Sequence, residues 1–206
     1  MSFFENTRKP VGLGGKIMVA MMNIGHSAMA AWGLHFLQLA PDAIVLDCGC
    51  GGGANIKTLL KRCPKGKVQG IDYSAVSVEK TRKVNAGAIA AGRCAVQQAS
   101  VAELPFEAEQ FDVVTAFETV YFWPELAQNF REVYRVLKPG GTFCGCFYVK
   151  GKQKRTDWFV RHIYERTGFF TLPYETASSL KKRLEKLYAT VTLGTVKGMA
   201  WFACRK

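Results

Sequence analysis

The run Asp47-Cys48-Gly49-Cys50-Gly51-Gly52-Gly53 sets a carboxylate ahead of three glycines at alternate positions. Glycine has no Cβ, so the backbone there can take positive φ and let a ligand come close. Ile56, Leu59, Leu60 and Cys63 follow at i, i+3, i+4 and i+7, the period of a helix. The free N–H groups of that helix's first turn would face whatever the loop holds. Asp47 is placed to meet an ammonium group directly or through water. The spacing of Gly49, Gly51 and Ala54 also fits the G-x-G-x-x-A of a dinucleotide loop, so the loop by itself leaves two ligands open. A second carboxylate closes Gly70-Ile71-Asp72, at about the 20-residue separation at which an acidic side chain meets ribose hydroxyls in nucleotide-binding folds. Tyr73 beside it could cover one face of an adenine.

These side chains need a scaffold whose strands end on them. Residues 43–47 are a short apolar run closed by Asp47, the pattern of a buried strand. A second strand closes on Asp72, and Ser74 is placed to cap the helix after it. Residues 94–99 read as a third strand and 111–117 as a fourth. Pro124 stands where a first helical residue would, and Leu126, Phe130, Val133, Tyr134 and Leu137 form one apolar face of the helix it opens. Lys138-Pro139-Gly140-Gly141 stops that helix, and residues 142–149 make a fifth strand. Strands alternating with helices through short turns predict an α/β fold, a parallel sheet with helices on both faces. Such sheets bind ligands beyond the carboxyl ends of their strands, which is where Asp47, Asp72 and Phe117 fall. After residue 150 the rhythm changes. Residues 156–166 and 175–187 read as basic helices. Residues 189–196 and 199–205 read as strands joined by Lys197-Gly198, an antiparallel hairpin. Ahead of the core, residues 16–40 read as one or two helices interrupted near Gly25, with Trp32, Leu34, Leu37 and Leu39 as a packing face.

A length of 206 residues suits a single domain that buries a core without staples. With 49% hydrophobic and 21% charged residues, the composition excludes a disordered chain. The net charge of +12 permits an acidic partner, but it is spread along the chain and reads first as a solvated surface. The seven cysteines include the C-x-C pairs Cys48/Cys50 and Cys144/Cys146, not the C-x-x-C of zinc or redox sites. They read as buried free thiols of a protein in a reducing cytosol, and no metal site is expected. The apolar run at 17–22 is too short for a signal core and far short of the roughly 20 residues of a membrane span.

Taken in order, the D-x-G-x-G-x-G loop at 47–53, Gly70-Ile71-Asp72, Leu104-Pro105-Phe106, Phe111-Asp112-Val113-Val114 and Leu137-Lys138-Pro139-Gly140-Gly141 resemble the class I S-adenosylmethionine-dependent methyltransferases, in particular the methyltransferase type 11 group. The resemblance covers residues 41–149, and the hairpin extends it to the C-terminus. It implies a Rossmann-like, seven-stranded, mostly parallel sheet with a C-terminal antiparallel hairpin. Within one domain, residues 1–40 would form an N-terminal helical lid, 41–149 the cofactor-binding core, and 150–206 basic helices and the closing hairpin. The implied cofactor is S-adenosyl-L-methionine, with S-adenosyl-L-homocysteine as product of an in-line displacement. Asp47, Gly49, Cys50 and Gly51 would serve the methionine part, with Phe117 near it. Asp72 would hold the ribose, and Tyr73, Ser100 and Val101 would border the adenine. Ser100 stands where the group usually has Asp, so its hydroxyl or the Val101 N–H takes over that contact. On the acceptor side, Glu118, Tyr121, Phe122 and Trp123 follow Phe117 where the transferred methyl would point, and Met22-Asn23-Ile24-Gly25-His26 falls in the lid. Glu118 can bind a cation or accept a proton. His26 titrates near neutral pH and can act as base or substrate ligand. Tyr121 completes the candidate catalytic set.

Other functions share parts of this pattern. A nicotinamide-dependent oxidoreductase would also own a glycine loop, but Asp47, the Lys-Pro-Gly-Gly and the hairpin speak against it. A non-catalytic cofactor-binding module would keep the loop intact. Lys150, Lys152, Lys154, Arg155, Arg161, Arg166, Lys181, Lys182 and Arg183 permit an RNA or DNA acceptor. The place after the fourth strand, however, reads Glu118-Thr119-Val120-Tyr121, not the N/D-P-P-Y/F of enzymes that methylate base amino groups. A small-molecule acceptor is the favoured expectation.

Overall fold

A computed structural model describes residues 12, 27–148, 177–196 and 199–206. In chain order these form α1 (Ser27–His35), β1 (Ile44–Cys48), α2 (Ala54–Arg62), β2 (Lys67–Asp72), α3 (Ala75–Val84), α4 (Ala86–Ala90), β3 (Cys94–Gln98), β4 (Phe111–Phe117), α5 (Leu126–Val136), β5 (Leu137–Tyr148), α6 (Ala177–Leu184), β6 (Thr190–Val196) and β7 (Met199–Arg205). The strands make one seven-stranded sheet in the order β3-β2-β1-β4-β5-β7-β6. Pairings from β3 through to β5 are parallel, while β7 runs antiparallel to both β5 and β6. The chain works outward from β1 to β3 and then returns to β4, so the switch point lies between β1 and β4. No helix among the described residues is long and apolar enough to cross a membrane.

Alternation along the strands fills two cores. Leu46, Val114, Phe143 and Phe202 face one side, with Phe130 and Val133 of α5 and Leu180 and Leu184 of α6. Val45, Val113, Cys144 and Cys146 face the other, with Leu34 of α1 and Ile56 and Leu59 of α2. Leu37 is buried and Trp32 and Leu39 are partly buried there, as their apolar spacing predicts. Ser74 caps α3 by accepting from the Ser77 amide.

Two elements differ from the sequence expectation. Pro124 does not open α5, which starts at Leu126 after the N-cap residue Glu125. The strand β5 begins at Leu137, so Lys138-Pro139-Gly140-Gly141 lies within it and not before it. These residues are the excess in an irregular register, where β5 advances from Leu137 to Thr142 while β4 advances from Phe111 to Val113. The extra loop is held by its neighbours. Lys138 pairs with Asp112 at 2.8 Å, and the other Asp112 oxygen accepts from the Ile44 amide at the start of β1. Gly140, at φ 73°, donates to the Lys206 carbonyl. Leu104 and Phe106 are likewise clamped from α5, their carbonyls accepting from Arg135. The expected helix at 156–166, the turn Lys197-Gly198 and the helical stretch before Ser27 lie outside the described residues.

Close approach in the sheet rests on Gly145 of β5. A Cβ there would fall on the Ala116 carbonyl oxygen of β4 and within 2.9 Å of the Phe202 ring of β7. Gly145→Ala is therefore expected to cost about 1–3 kcal/mol in urea unfolding. Gly87→Ala, in α4 with open space around it, should be neutral or stabilising by up to about 1 kcal/mol.

Candidate functional site

The glycine loop is drawn onto the end of β2. Gly49 and Cys50 both donate their amides to the Ile71 carbonyl at 2.9 Å, and Gly53 donates to Cys50. The Gly51 amide donates to Asp72 Oδ2 at 2.9 Å. These bonds demand a tight path, and Gly49, Gly51 and Gly53 all have positive φ. Their surroundings differ. A Cβ on Gly49 would strike Thr119, and one on Gly53 would strike Thr81 and Asn85, whereas one on Gly51 would meet nothing within 4 Å. The loop is also held from behind, since Thr81 Oγ1 donates to the Gly51 carbonyl and Asn85 Nδ2 to the Gly53 carbonyl. Thr119 Oγ1 donates to the Cys48 carbonyl and so ties the loop after β4 to the end of β1. The sequence singles out none of these three anchors, because a threonine or asparagine on a helix or in a loop carries no spacing signal of its own.

The cleft above the loop is lined by Gly49, Cys50, Gly51, Asp72, Tyr73, Ser100, Val101, Phe117 and Glu118 of the expected set. Ala54, Asn55, Thr119, Phe122 and Trp123 join them. Tyr121 does not line it. Its ring packs edge-on against Phe122 instead, 4.7 Å between centroids. His26 lies outside the described residues. Asp47 does not line the cleft either. It is buried beneath the loop, where Thr115 Oγ1 donates to its Oδ1 at 2.6 Å. Its Oδ2 is buried without a hydrogen-bond partner among the described residues.

Charge in the cleft has one sign. Asp72 and Glu118 line it, and no Lys, Arg or His does so among the described residues. Asp72 is fixed at both oxygens, Oδ1 accepting from the Ser74 amide and Oδ2 from Gly51. The Ser77 side chain is a further hydrogen-bond partner of this carboxylate. Burial raises its pKa, and the two amide bonds and the Ser77 side chain work against that rise. Burial pushes Asp47 up to about 6, with the Thr115 bond opposing and the charge of Asp72 adding to it. Burial also lifts Cys50 well above the usual thiol range, so it is a neutral wall. Ser100 Oγ accepts from the Ala102 amide at 3.2 Å, which leaves its proton to donate elsewhere. Glu118 is 5% exposed and adopts φ 58°, a left-handed conformation uncommon for a residue with a side chain.

Residues 46–145 match the methyltransferase domain family. The match runs from β1 into β5, just under half of the chain. The chain is 33% identical over 135 residues to cycloartenol-C-24-methyltransferase 1 of Oryza sativa subsp. japonica, a match covering 64% of this chain and 36% of the relative. It is 30% identical over 141 residues to malonyl-[acyl-carrier protein] O-methyltransferase of Legionella pneumophila, covering 66% of this chain and 48% of the relative. The chain thus spans less than half the length of these curated relatives. Among solved structures, a SAM-dependent methyltransferase from Aquifex aeolicus superposes with a TM-score of 0.71 at 17% identity, covering 92% of this chain and 97% of that one. That likeness shows the shared fold.

The buried Asp47 carboxyl gives a stability signature. Its pKa rises on folding from 3.8 to about 6, so between those values the folded protein holds a proton that the unfolded chain has lost. Stability should therefore fall as pH rises from about 4 to 6 and level off above that, by about 3 kcal/mol for this group. Urea midpoints across that range should show Asp47→Asn losing this share of the slope. An unaltered profile would contradict the buried, proton-holding Asp47.

Proposed function

We propose that the cleft binds S-adenosylmethionine and that the protein transfers its methyl group to a small-molecule acceptor. The observation that carries this reading is the inward commitment of the loop amides beside a cleft whose charged side chains, among the described residues, are both carboxylates. A dinucleotide's pyrophosphate would need free loop amides or cationic side chains. Here the amides of Gly49, Cys50, Gly51 and Gly53 are spent within the protein, and the lining charges are Asp72 and Glu118. That environment repels a pyrophosphate and favours a ligand with ribose hydroxyls and a cationic centre.

On this reading Asp72 holds the ribose, pre-oriented by Gly51 and Ser74. Tyr73, Ser100 and Val101 border the adenine. The backbone of Gly49, Cys50 and Gly51, which a side chain on Gly51 would obstruct, receives the methionine part. Asp47 acts from below through its charge, not by contact. Phe117 walls the cleft and excludes water from the reacting end, and Glu118 faces the acceptor. When bound, the sulfonium supplies an electrophilic methyl carbon and leaves as the neutral thioether S-adenosylhomocysteine. What this chain contributes is position and a dry cavity. The named relatives methylate carbon in one case and oxygen in the other, so no single acceptor atom carries over. The exposed Lys181 and Lys182 lie on α6, which packs on the edge strand β6, three strands from β4. That placement favours a small molecule over nucleic acid. The seven cysteines are free and buried, which supports a reducing compartment such as the cytosol.

Isothermal titration tests the reading. S-adenosylhomocysteine is expected to bind with a Kd in the micromolar range and NAD not at all. Asp72→Asn should weaken binding by roughly 10–100-fold, the worth of charge-assisted hydrogen bonds at about 1.5–3 kcal/mol. Binding of NAD without S-adenosylhomocysteine would refute it.

A further inference from the structure

We infer that Gly33 of α1 is a positioning residue for the cofactor's methionine end, acting through the ring of Phe117. The inference rests on the donor site proposed above and adds a helix that shapes it. Glycine is a poor residue for a helix, yet Gly33 stands within α1. Its φ is not positive, so backbone conformation does not require glycine there. A close approach does. A Cβ at this position would lie 3.0 Å from Phe117 Cε1 and 3.2 Å from both Cβ and Sγ of Cys146. Phe117 ends β4, is 5% exposed and lines the cleft. Cys146 is its partner in the pairing of β4 with β5. The helix thus meets a wall of the cleft at its glycine.

The helix is held from two sides. Arg62, the last residue of α2, donates through Nη1 and Nη2 to the carbonyls of Leu34 and Leu37. Because α2 starts on the glycine loop at Gly53, this clamp ties α1 to the frame that carries the loop. On the other side, Phe36 stacks on Trp201 of β7, with centroids 4.2 Å apart and planes within 3°. Trp32 meets the same Phe36 ring edge-on. Leu34, Leu37 and Cys146 share one buried cluster with Phe117. Interiors packed this closely pass strain on to whatever can give. Cys146 is fully buried and lies between β4 and β7 in the sheet, whereas Phe117 has the cleft beside it. Bulk at position 33 is therefore taken up by the Phe117 ring, which gives by a few tenths of an ångström. The open direction is the cleft, on the side where the methionine part is received.

The test is calorimetry with S-adenosylhomocysteine on the wild type, Gly33→Ala, Phe117→Leu and the double variant. Gly33→Ala is expected to weaken binding at least threefold. In the Phe117→Leu background the shorter side chain leaves room, so the same change should alter affinity less than twofold. That non-additivity marks action through the ring, whereas a general loosening of α1 would weaken both backgrounds alike. Phe117→Met, unbranched and adaptable, supplies the background should the leucine variant lose binding. A loss under threefold in Gly33→Ala, or a change of twofold or more in the background lacking the ring, would each overturn the inference. Should Gly33→Ala alone fail to fold, the double variant must fold and match its Phe117 parent within twofold, and its failure would overturn the inference as well. Failure of the wild-type protein to bind S-adenosylhomocysteine would instead overturn the donor reading beneath it.

Discussion

The site depends on one set of contacts, the amides of residues 49–51 drawn onto the end of β2. Two of them share the Ile71 carbonyl, and the third takes an oxygen of Asp72. This places the loop, orients the Asp72 carboxylate and commits three loop amides that could otherwise cradle a phosphate. The same bonds explain the glycines. The path needs positive φ at 49, 51 and 53, and at 49 and 53 the neighbouring Thr119, Thr81 and Asn85 leave no room for a Cβ. Only Gly51 faces open space, so its small size serves the cleft and not the packing.

Electrostatics builds on that geometry. Asp47 and Asp72 are both buried, and burial alone disfavours their charged forms. The protein offsets this unevenly. Asp72 has two amide donors and the Ser77 side chain, while Asp47 has one hydroxyl and an oxygen left over. A cationic ligand would relieve both, which is why a sulfonium donor fits a cleft in a strongly basic protein. The fold supplies rigidity around it. The Asp112–Lys138 pair and the Gly140–Lys206 contact hold the far ends of the strands. The Phe143 ring packs among Trp123, Phe130 and Phe202 beneath the acceptor side.

Much of this was legible in the sequence, for physical reasons. Apolar runs closed by Asp47 and Asp72 located two strand ends, and a buried parallel strand has few other ways to be written. The hairpin followed from a two-residue gap. Side-chain destinations were less legible. Spacing places Asp47 at a strand end but not whether it faces ligand or Thr115, since that depends on a partner 68 residues away. Tyr121 sits among aromatics and only packing decides which of them reach the cleft. The anchors Thr81, Asn85, Thr115 and Thr119 act through single long-range hydrogen bonds, which leave no periodic trace. Lys-Pro-Gly-Gly reads as a helix stop, and it does follow α5. Its capture inside β5 comes from the irregular pairing with β4.

The most direct test of the account is a crystal structure of the protein with S-adenosylhomocysteine. The account predicts the nucleoside at the β1–β4 switch point, both ribose hydroxyls on the Asp72 carboxylate, and the Gly49 and Cys50 amides still on the Ile71 carbonyl. A ligand bound elsewhere, or loop amides released from Ile71 and turned toward it, would contradict the account.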